Sequence, residues 1–489
     1  MISSLLAVAA ALLAFLFWYT IATPWYCSGT CCLYKDTCQE VAVNGKIINP
    51  KYTSIANALS ESLTHGWDLG ASVFLSVNGE TVLNVAGGFR DKEKTLPYDV
   101  DTINMIFSSG KIVENIGIAI LVDRGLVELD APIAKYWPEF GKKGKDQVTI
   151  GDILSHRSGC VGIFEETPDV SILQDPQTRD AFIASQKFEY ERGTVGYRGW
   201  NSAFYSDALV RKVDPKQRSL AELVREEVFS PLGEESSFFC PPVTDDWEAR
   251  LSEVHDIPTP TMLLGVLPQV FIPSSSFYRT ILGDGHHVLL NDVEVALYDR
   301  LLLKKGVFSK PSIPDVEDAA ASYNNRSSFM SYNMMSANCV SNSRALGRAL
   351  DAFMNGKVVS KETVKLFLEP FPAAYDIFLG QNTTYTKGGK SVSLIVCNFR
   401  HCRAATDTSL SLPTPESGFG KDGLLLGDIN NLDNVECNGW GGIGGSTTIH
   451  CTVGSNTATF SYVPNVMSPK VNLDRGLKML NMAIDIIKK

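Results

Sequence analysis

Charge is absent from the beginning of this sequence: no Asp, Glu, Lys, Arg or His precedes Lys35. A mitochondrial transit peptide, which needs arginines and amphipathicity, is excluded by that absence. No long basic run occurs anywhere, and 44 Lys and Arg stand against 54 Asp and Glu, a formal charge of −10. Nucleic-acid binding therefore has no electrostatic footprint here. From about residue 46 the chain also lacks a low-complexity linker, a fixed-period repeat and a second long apolar run. Solenoids and multi-span membrane proteins are thereby excluded. The N-terminal cysteines lack a second Cys-x-x-Cys pair and a histidine at ligand spacing, so no metal is expected, and no cofactor either.

What is present is an ordinary globular balance, 44% hydrophobic and 20% charged over 489 residues, enough to bury a large core. Leu5 to Trp18 is an unbroken run of 14 apolar residues, extended by Ile2, Tyr19 and Ile21. About twenty such positions at ~1.5 Å each reach across a bilayer core. Two readings of residues 1–26 compete. An uncleaved anchor is favoured by the length of the run, the absence of a basic n-region and the belt-forming Trp18, Tyr19, Trp25 and Tyr26. A cleavable signal peptide is the rival, its small-residue rule loosely met by Thr20 and Ala22. Both start the chain at the secretory membrane, giving a membrane-anchored lumenal or extracellular domain, or a secreted one.

Cysteine usage agrees with that compartment. Cys27, Cys31, Cys32 and Cys38 crowd into a stretch that suggests a disulfide-tied stalk over 27–45, and Cys397 and Cys402 are close enough for a local bridge. Cys160, Cys240, Cys339, Cys437 and Cys451 are scattered, and the odd total of 11 leaves at least one outside any intramolecular pair. Were residues 27 onward cytosolic, Cys31 and Cys32 would instead read as palmitoylation candidates. Sequons at Asn325 and Asn382 would be glycosylated only on the lumenal side, and chance alone supplies about two or three in such a chain.

One unit, 46–489, is the simplest organisation of the rest. Ala71 to Val77 and Thr81 to Val85 flank Asn78-Gly79, a strong hairpin signal, and Thr447 to Val453 and Thr457 to Val463 repeat the pattern around Gly454 to Asn456. A closing helix from about Leu473, with Asn472 as N-cap, follows from the spacing of Leu473, Leu477, Leu480, Ile484 and Ile487. Val113 to Val122 is apolar nearly all round and predicts a buried helix ending at Gly125. Strands at both ends with helices between give an α+β fold: an antiparallel sheet built from both ends of the domain, with flanking helices and an inserted helical region. Met262 to Pro273 is too short to span a membrane and reads as core, with an acyl-binding wall or lid as the functional alternative.

Ser108-Ser109-Gly110-Lys111 is the one Ser-x-x-Lys in the chain, and it opens that buried helix. At this spacing serine and lysine share a helix face. A desolvated, neutral lysine can take the proton of the serine hydroxyl. The helix N-terminus offers the Ser108 N–H to a developing oxyanion. The bland alternative is a capping serine followed by a surface lysine.

Phe107-Ser108-Ser109-Gly110-Lys111, Leu121-Val122-Asp123-Arg124-Gly125, Ile153-Leu154-Ser155-His156-Arg157-Ser158-Gly159, Gly193-Thr194-Val195-Gly196-Tyr197, Pro231-Leu232-Gly233 and Trp440-Gly441-Gly442-Ile443-Gly444-Gly445-Ser446 follow one another in order. With these blocks the sequence resembles the β-lactamase-related serine hydrolases, which include class C β-lactamases, D,D-peptidases and family VIII carboxylesterases. The resemblance implies a β-lactamase/transpeptidase-like fold, Ser108 as nucleophile, Lys111 as its proton acceptor and Tyr197 as the acid/base that passes the proton to the leaving group. It also implies that Trp440, Gly441, Gly442 and Ile443 line the substrate side of the site, with the Ser108 and Ile443 N–H groups as oxyanion donors. Two departures stand out: Gly199 replaces the usual Asn two residues after the tyrosine, and Trp440-Gly441-Gly442 replaces Lys-Thr-Gly or His-x-Gly. The second removes the cation that grips a substrate carboxylate and resembles some family VIII esterases.

These expectations point to a serine hydrolase cleaving a small-molecule ester, one with a lipid-like acyl group included, through an acyl-Ser108 intermediate. An amidase or peptidase of the same fold and a catalytically silent binding or scaffold protein are the alternatives. His156 is read as a hydrogen-bonded core histidine, with a general base as the sharper alternative. The adjacent His286 and His287 diverge, which disfavours a metal site. The oligomeric state is left open.

Overall fold

The computed structural model describes residues 38–160, 168–198, 202–255, 329–376, 381–388, 435–442, 444–467 and 474–489, with the single residues Tyr26, Cys31, Thr37 and Asn324. The apolar N-terminal run, Cys27, Cys32, the Cys397/Cys402 pair, Met262 to Pro273, His286, His287, Asn325, Asn472 and Ile443 lie outside these residues. Among the described residues no helix is long and apolar enough to cross a membrane.

The main sheet is antiparallel with strand order β1-β3-β2-β11-β10-β9, formed by β1 (Val43–Ile47), β2 (Gly70–Val77), β3 (Glu80–Gly88), β9 (Val435–Gly441), β10 (Thr447–Val453) and β11 (Asn456–Pro464). β1 straddles the boundary drawn at residue 46. The β2–β3 turn forms because Asn78 and Gly79 both accept positive φ, 52° and 80°, as a two-residue type I′ loop demands. In the second hairpin Val453 pairs with Asn456 around Gly454-Ser455, one residue earlier than the sequence pattern suggested. At the centre, Ala458 to Pro464 of β11 pair with Val77 to Ala71 of β2, so the two hairpins join into one sheet.

Period-two alternation decides what each face meets. Val73, Leu75, Leu83, Val85, Ile449 and Phe460 pack with Ile55, Leu59 and Leu63 of α1 (Thr53–Thr64) and Leu477, Leu480 and Ile484 of the C-terminal helix Asp474–Lys488. The opposite face carries Phe74, Ser76 and Thr459. There the Ser76 and Thr459 hydroxyls donate to Asp351 Oδ1, at 2.9 and 2.8 Å, on the helix Ser343–Met354.

Behind that face lies the larger core, organised around α2 (Gly110–Asp123), whose residues from Gly110 to Leu121 are buried except Asn115. Next in order come α3 (Ile150–Leu154), α4 (Pro176–Ser185), α5 (Ser202–Val213) and α6 (Leu220–Val224), then α7 (Ser343–Met354), α8 (Lys361–Leu368) and α9 (Asp474–Lys488). Gly117 permits the α2–α6 contact, since a Cβ there would sit 2.4 Å from Leu220 Cδ1. A small second sheet, β4-β6-β5, pairs Asn104–Met105 (β4) with Val340–Ser341 (β6) and that strand with Phe238–Phe239 (β5). It delivers the chain from β4 into the turn that starts α2.

Three disulfides are present among the described residues: Cys31–Cys38, Cys240–Cys339 and Cys437–Cys451. The second ties β5 to β6, and the third joins directly opposed residues of β9 and β10. Cys160 is a buried thiol. Disulfides of this number suit an oxidising, secretory environment.

Candidate active site

Ser108 sits in a single 3-10 turn, Phe107–Ser109, that runs straight into α2. The turn is sharp: Phe107 has φ of 46°, a strained value for an aromatic residue, and it exposes the half-buried Ser108 while burying its neighbours. Three residues on, one turn of helix brings Lys111 back to the same face, and its Nζ donates to Ser108 Oγ at 3.1 Å. Lys111 is 2% exposed and also donates to the Ser336 carbonyl at 3.3 Å. It is therefore a desolvated amine aimed at the nucleophile, and the surface-lysine alternative is ruled out for it.

Tyr197 arrives from the opposite side, its hydroxyl donating to Ser108 Oγ at 2.7 Å. The loop that carries it is pinned at several points. Arg192 pairs with Asp152 on α3 at 2.5 Å, the Gly193 N–H donates to the Arg157 carbonyl at 2.7 Å, and the Gly196 N–H to the His156 carbonyl at 3.0 Å. Lys111 Nζ lies 5.1 Å from the centre of the Tyr197 ring and 5.9 Å from that of Trp440, two π faces that favour the ammonium Lys111 becomes on taking a proton. Trp440 is buried and stacks on Tyr197 with ring centres 6.0 Å apart.

The edge of the site is the turn after β9. The Gly442 N–H donates to the Ser446 carbonyl at 2.8 Å. A Cβ at Gly442 would fall 2.6 Å from Ser446 Oγ and 2.7 Å from the Ile106 carbonyl, so a side chain has no room there. Ser446 Oγ in turn donates to the Ile106 carbonyl at 2.7 Å and lies 2.9 Å from Ser109 Oγ. The C-terminal part of the chain is thus fastened to the nucleophile turn by hydroxyls on both sides. Ser108, Lys111, Tyr197, Trp440, Gly441 and Gly442 are brought together; the Ile443 N–H lies outside the described residues.

His156 belongs beneath this arrangement. It is buried, accepts the Arg198 N–H on Nδ1 at 3.3 Å, and packs against Tyr197, Tyr385 and Trp440 with ring centres 5.0, 5.0 and 5.8 Å away. Its place is that of a core histidine shaping the floor under Tyr197.

Two groups escaped sequence reasoning. Asp376, at the end of strand Ala374–Asp376 (β7), which pairs with Gln381–Thr383 (β8), accepts the Tyr197 N–H on Oδ1 at 3.1 Å and the Tyr385 hydroxyl on Oδ2 at 2.7 Å. Burial and the adjacent Asp376 push the Tyr385 hydroxyl well above its ordinary pKa, so it stays a donor. No local motif marks Asp376, which is 179 residues from Tyr197. The second, Glu114, did leave a signal: it is the one carboxylate within the apolar run Val113 to Val122. Among the described residues no cluster of three or more His, Cys, Asp or Glu has the geometry to hold a metal ion.

A serine and a lysine at the head of a buried helix, a tyrosine beside them and an antiparallel sheet edge opposite define the β-lactamase/transpeptidase-like fold. A penicillin-binding-protein homologue from Caulobacter crescentus aligns with a TM-score of 0.65 at 21% identity, covering 91% of this chain and 99% of that one. A family VIII carboxylesterase aligns at 0.64 and 20% identity, with the same coverage. The chain belongs to the beta-lactamase family, whose profile matches residues 55–390. That is a family of hydrolases acting on small molecules, with esterases among them. The esterase/beta-lactamase LipL of Mycobacterium tuberculosis is 28% identical over 184 residues, 38% of this chain and 42% of that protein. The match therefore spans less than half of that relative's own length.

Proposed function

We propose that this chain is a serine ester hydrolase working through an acyl-Ser108 intermediate. The observation that carries the reading is the placement of one half-buried hydroxyl, Ser108 Oγ, within hydrogen-bond reach of both Lys111 Nζ and Tyr197 OH, at 3.1 and 2.7 Å. Lys111 accepts the proton as Ser108 Oγ attacks the acyl carbon. Negative charge on the carbonyl oxygen is met by the Ser108 N–H, with the Ile443 N–H as its partner by family resemblance. Collapse expels the alcohol, which takes a proton from Tyr197, and water then releases the acid by the same route. Once Lys111 holds the Ser108 proton, its charge beside the Tyr197 ring stabilises the phenolate that Tyr197 becomes on giving its proton to the alcohol.

The buried indole of Trp440 stands where the family commonly has a cation, which favours neutral acyl groups over substrates bearing a carboxylate. The names of LipL and of the family VIII carboxylesterase agree with ester cleavage. The three disulfides support a lumenal or extracellular site of action; an N-terminal anchor at residues 1–26 would tether it there. Incubating the protein with a fluorophosphonate probe and p-nitrophenyl acyl esters, beside Ser108→Ala, tests the chemistry. Labelling and turnover lost in Ser108→Ala are expected. Labelling that survives the substitution refutes the nucleophile, and a parent protein that neither labels nor turns over is a silent family member.

A further inference from the structure

Glu114 has no part in the chemistry described so far, yet its position is unusual. It follows Ser108 by six residues and Lys111 by three along α2, and it is 1% exposed. A carboxylate in such a place is costly unless it is partnered. Its partners come from α5: Ser206 Oγ donates to Oε1 at 2.7 Å and Ser202 Oγ to Oε2 at 3.2 Å. Burial raises the Glu114 carboxyl above its ordinary pKa, and the Ser206 hydroxyl and the positive charges of Lys111 and Arg198 pull it only part of the way back. Lys111 from its own helix and Arg198 from the loop entering α5 are the charged groups that act on it, with the titratable hydroxyl of Tyr197 beyond Lys111. Elsewhere on α2, Leu220 and Val224 of α6 pack at Gly117, Leu350 and Phe353 of α7 and Phe367 of α8 line a cavity with Ile112 and Ile116, and the polar contact from α8, Thr363, goes to Asp123 at the far end of the helix.

We propose that Glu114 is a positioning residue completing a Ser108–Lys111–Glu114 line along one helix. Its carboxylate stabilises the ammonium that Lys111 becomes, and its bonds to Ser202 and Ser206 fasten α5 to α2. The inference rests on the serine-hydrolase reading above. In the step concerned the Ser108 O–H bond breaks, a new N–H bond forms on Lys111 Nζ, and the freed oxygen pair bonds to the acyl carbon as the carbonyl π pair moves onto its oxygen; collapse restores the carbonyl and breaks the bond to the alcohol oxygen, which leaves with a proton from Tyr197. Glu114 neither takes up nor gives up a proton in this step. Its role resembles that of the third group which orients and charge-balances the base in other activated nucleophiles, supplied here from the nucleophile's own helix.

Glu114→Gln keeps the volume and an acceptor for the serines but removes the charge. Two measurements on the full chain decide the matter. The first is the pH dependence of Lys111 reductive methylation by formaldehyde and cyanoborohydride, read by peptide mass spectrometry; the second is kcat and KM for p-nitrophenyl butyrate. Loss of the counter-charge should lower the midpoint of Lys111 titration by about one pH unit and kcat by about tenfold, with KM within about twofold. Glu114→Asp should hold the Lys111 midpoint near that of the parent. An unchanged midpoint in Glu114→Gln overturns the proposal. If that variant does not fold, Glu114→Asp decides: its shorter arm should lower kcat several-fold with the midpoint retained, and a parental kcat overturns the proposal. The methylation readout needs no turnover, so a silent parent protein would refute the hydrolase reading while still reporting the Glu114–Lys111 coupling.

Discussion

Replacing Asp376 by alanine should damage stability and catalysis together, because one buried carboxylate accepts from two donors, one of them the backbone of Tyr197. It accepts the Tyr197 N–H at 3.1 Å and the Tyr385 hydroxyl at 2.7 Å, and both Asp376 and Tyr385 are almost completely buried. Hydrogen bonds to a charged group contribute about 1.5–3 kcal/mol each, so losing both costs about 3–6 kcal/mol. That is a large part of the roughly 5–15 kcal/mol by which a domain is stable. The catalytic effect follows from geometry: the Tyr197 backbone is released, and a shift of about 1 Å in a reacting group costs on the order of a hundredfold in rate. Urea unfolding should show a lower midpoint for Asp376→Ala, with kcat for an acyl ester down about 10- to 100-fold. Tyr385→Phe removes only one of the two bonds and should lose about a third to a half as much stability, with kcat reduced several-fold at most. An Asp376→Ala protein within about 0.5 kcal/mol and twofold in kcat of the parent would refute this account of how Tyr197 is held.

Gly442→Ala drives a methyl group against Ser446 Oγ and the Ile106 carbonyl, at 2.6 and 2.7 Å. Ester turnover should fall at least about a hundredfold while the sheet still forms, with thermal unfolding and steady-state kinetics as the checks. Burial lowers the pKa of His255 and of His450, so both are held neutral in the fold. Unfolded histidine protonates near pH 6.5, so their contribution is complete above that value and is lost as pH falls through the lowered folded values. Unfolding free energy should decline from pH 7 toward pH 5, by up to about 1.4 kcal/mol per pH unit for each histidine, as denaturant melts at each pH would show, and His450→Asn should flatten the decline.

Period and turn chemistry made the two hairpins, the buried α2 and the closing helix legible in the sequence, since each is a local pattern. The site was legible in part: Ser108 and Lys111 by helical spacing, Tyr197 and Trp440 only through resemblance to a family. Asp376 was invisible because its contact with Tyr197 depends on the path of the chain across a fold, and no spacing rule predicts that. The disulfide partners were equally hidden: Cys240 and Cys339 meet because β5 and β6 are neighbours in a sheet of two-residue strands too short to show a pattern. The second-hairpin turn was misjudged by one residue because Asn456 suits both a turn and the first pairing position of β11.

The union of β2 with β11 has a consequence for the timing of activity in the cell. Ser108 and Lys111 emerge from the ribosome early, yet the strands that complete the central sheet and the Gly442 turn that abuts the nucleophile are made more than 300 residues later. Contacts of such long range form slowly and only after the intervening chain exists. A partly synthesised or C-terminally truncated chain therefore carries its nucleophile without the wall that shapes it. Hydrolytic capacity should appear late and all at once, when β9 to β11 dock, which would spare the surrounding esters from a half-made enzyme.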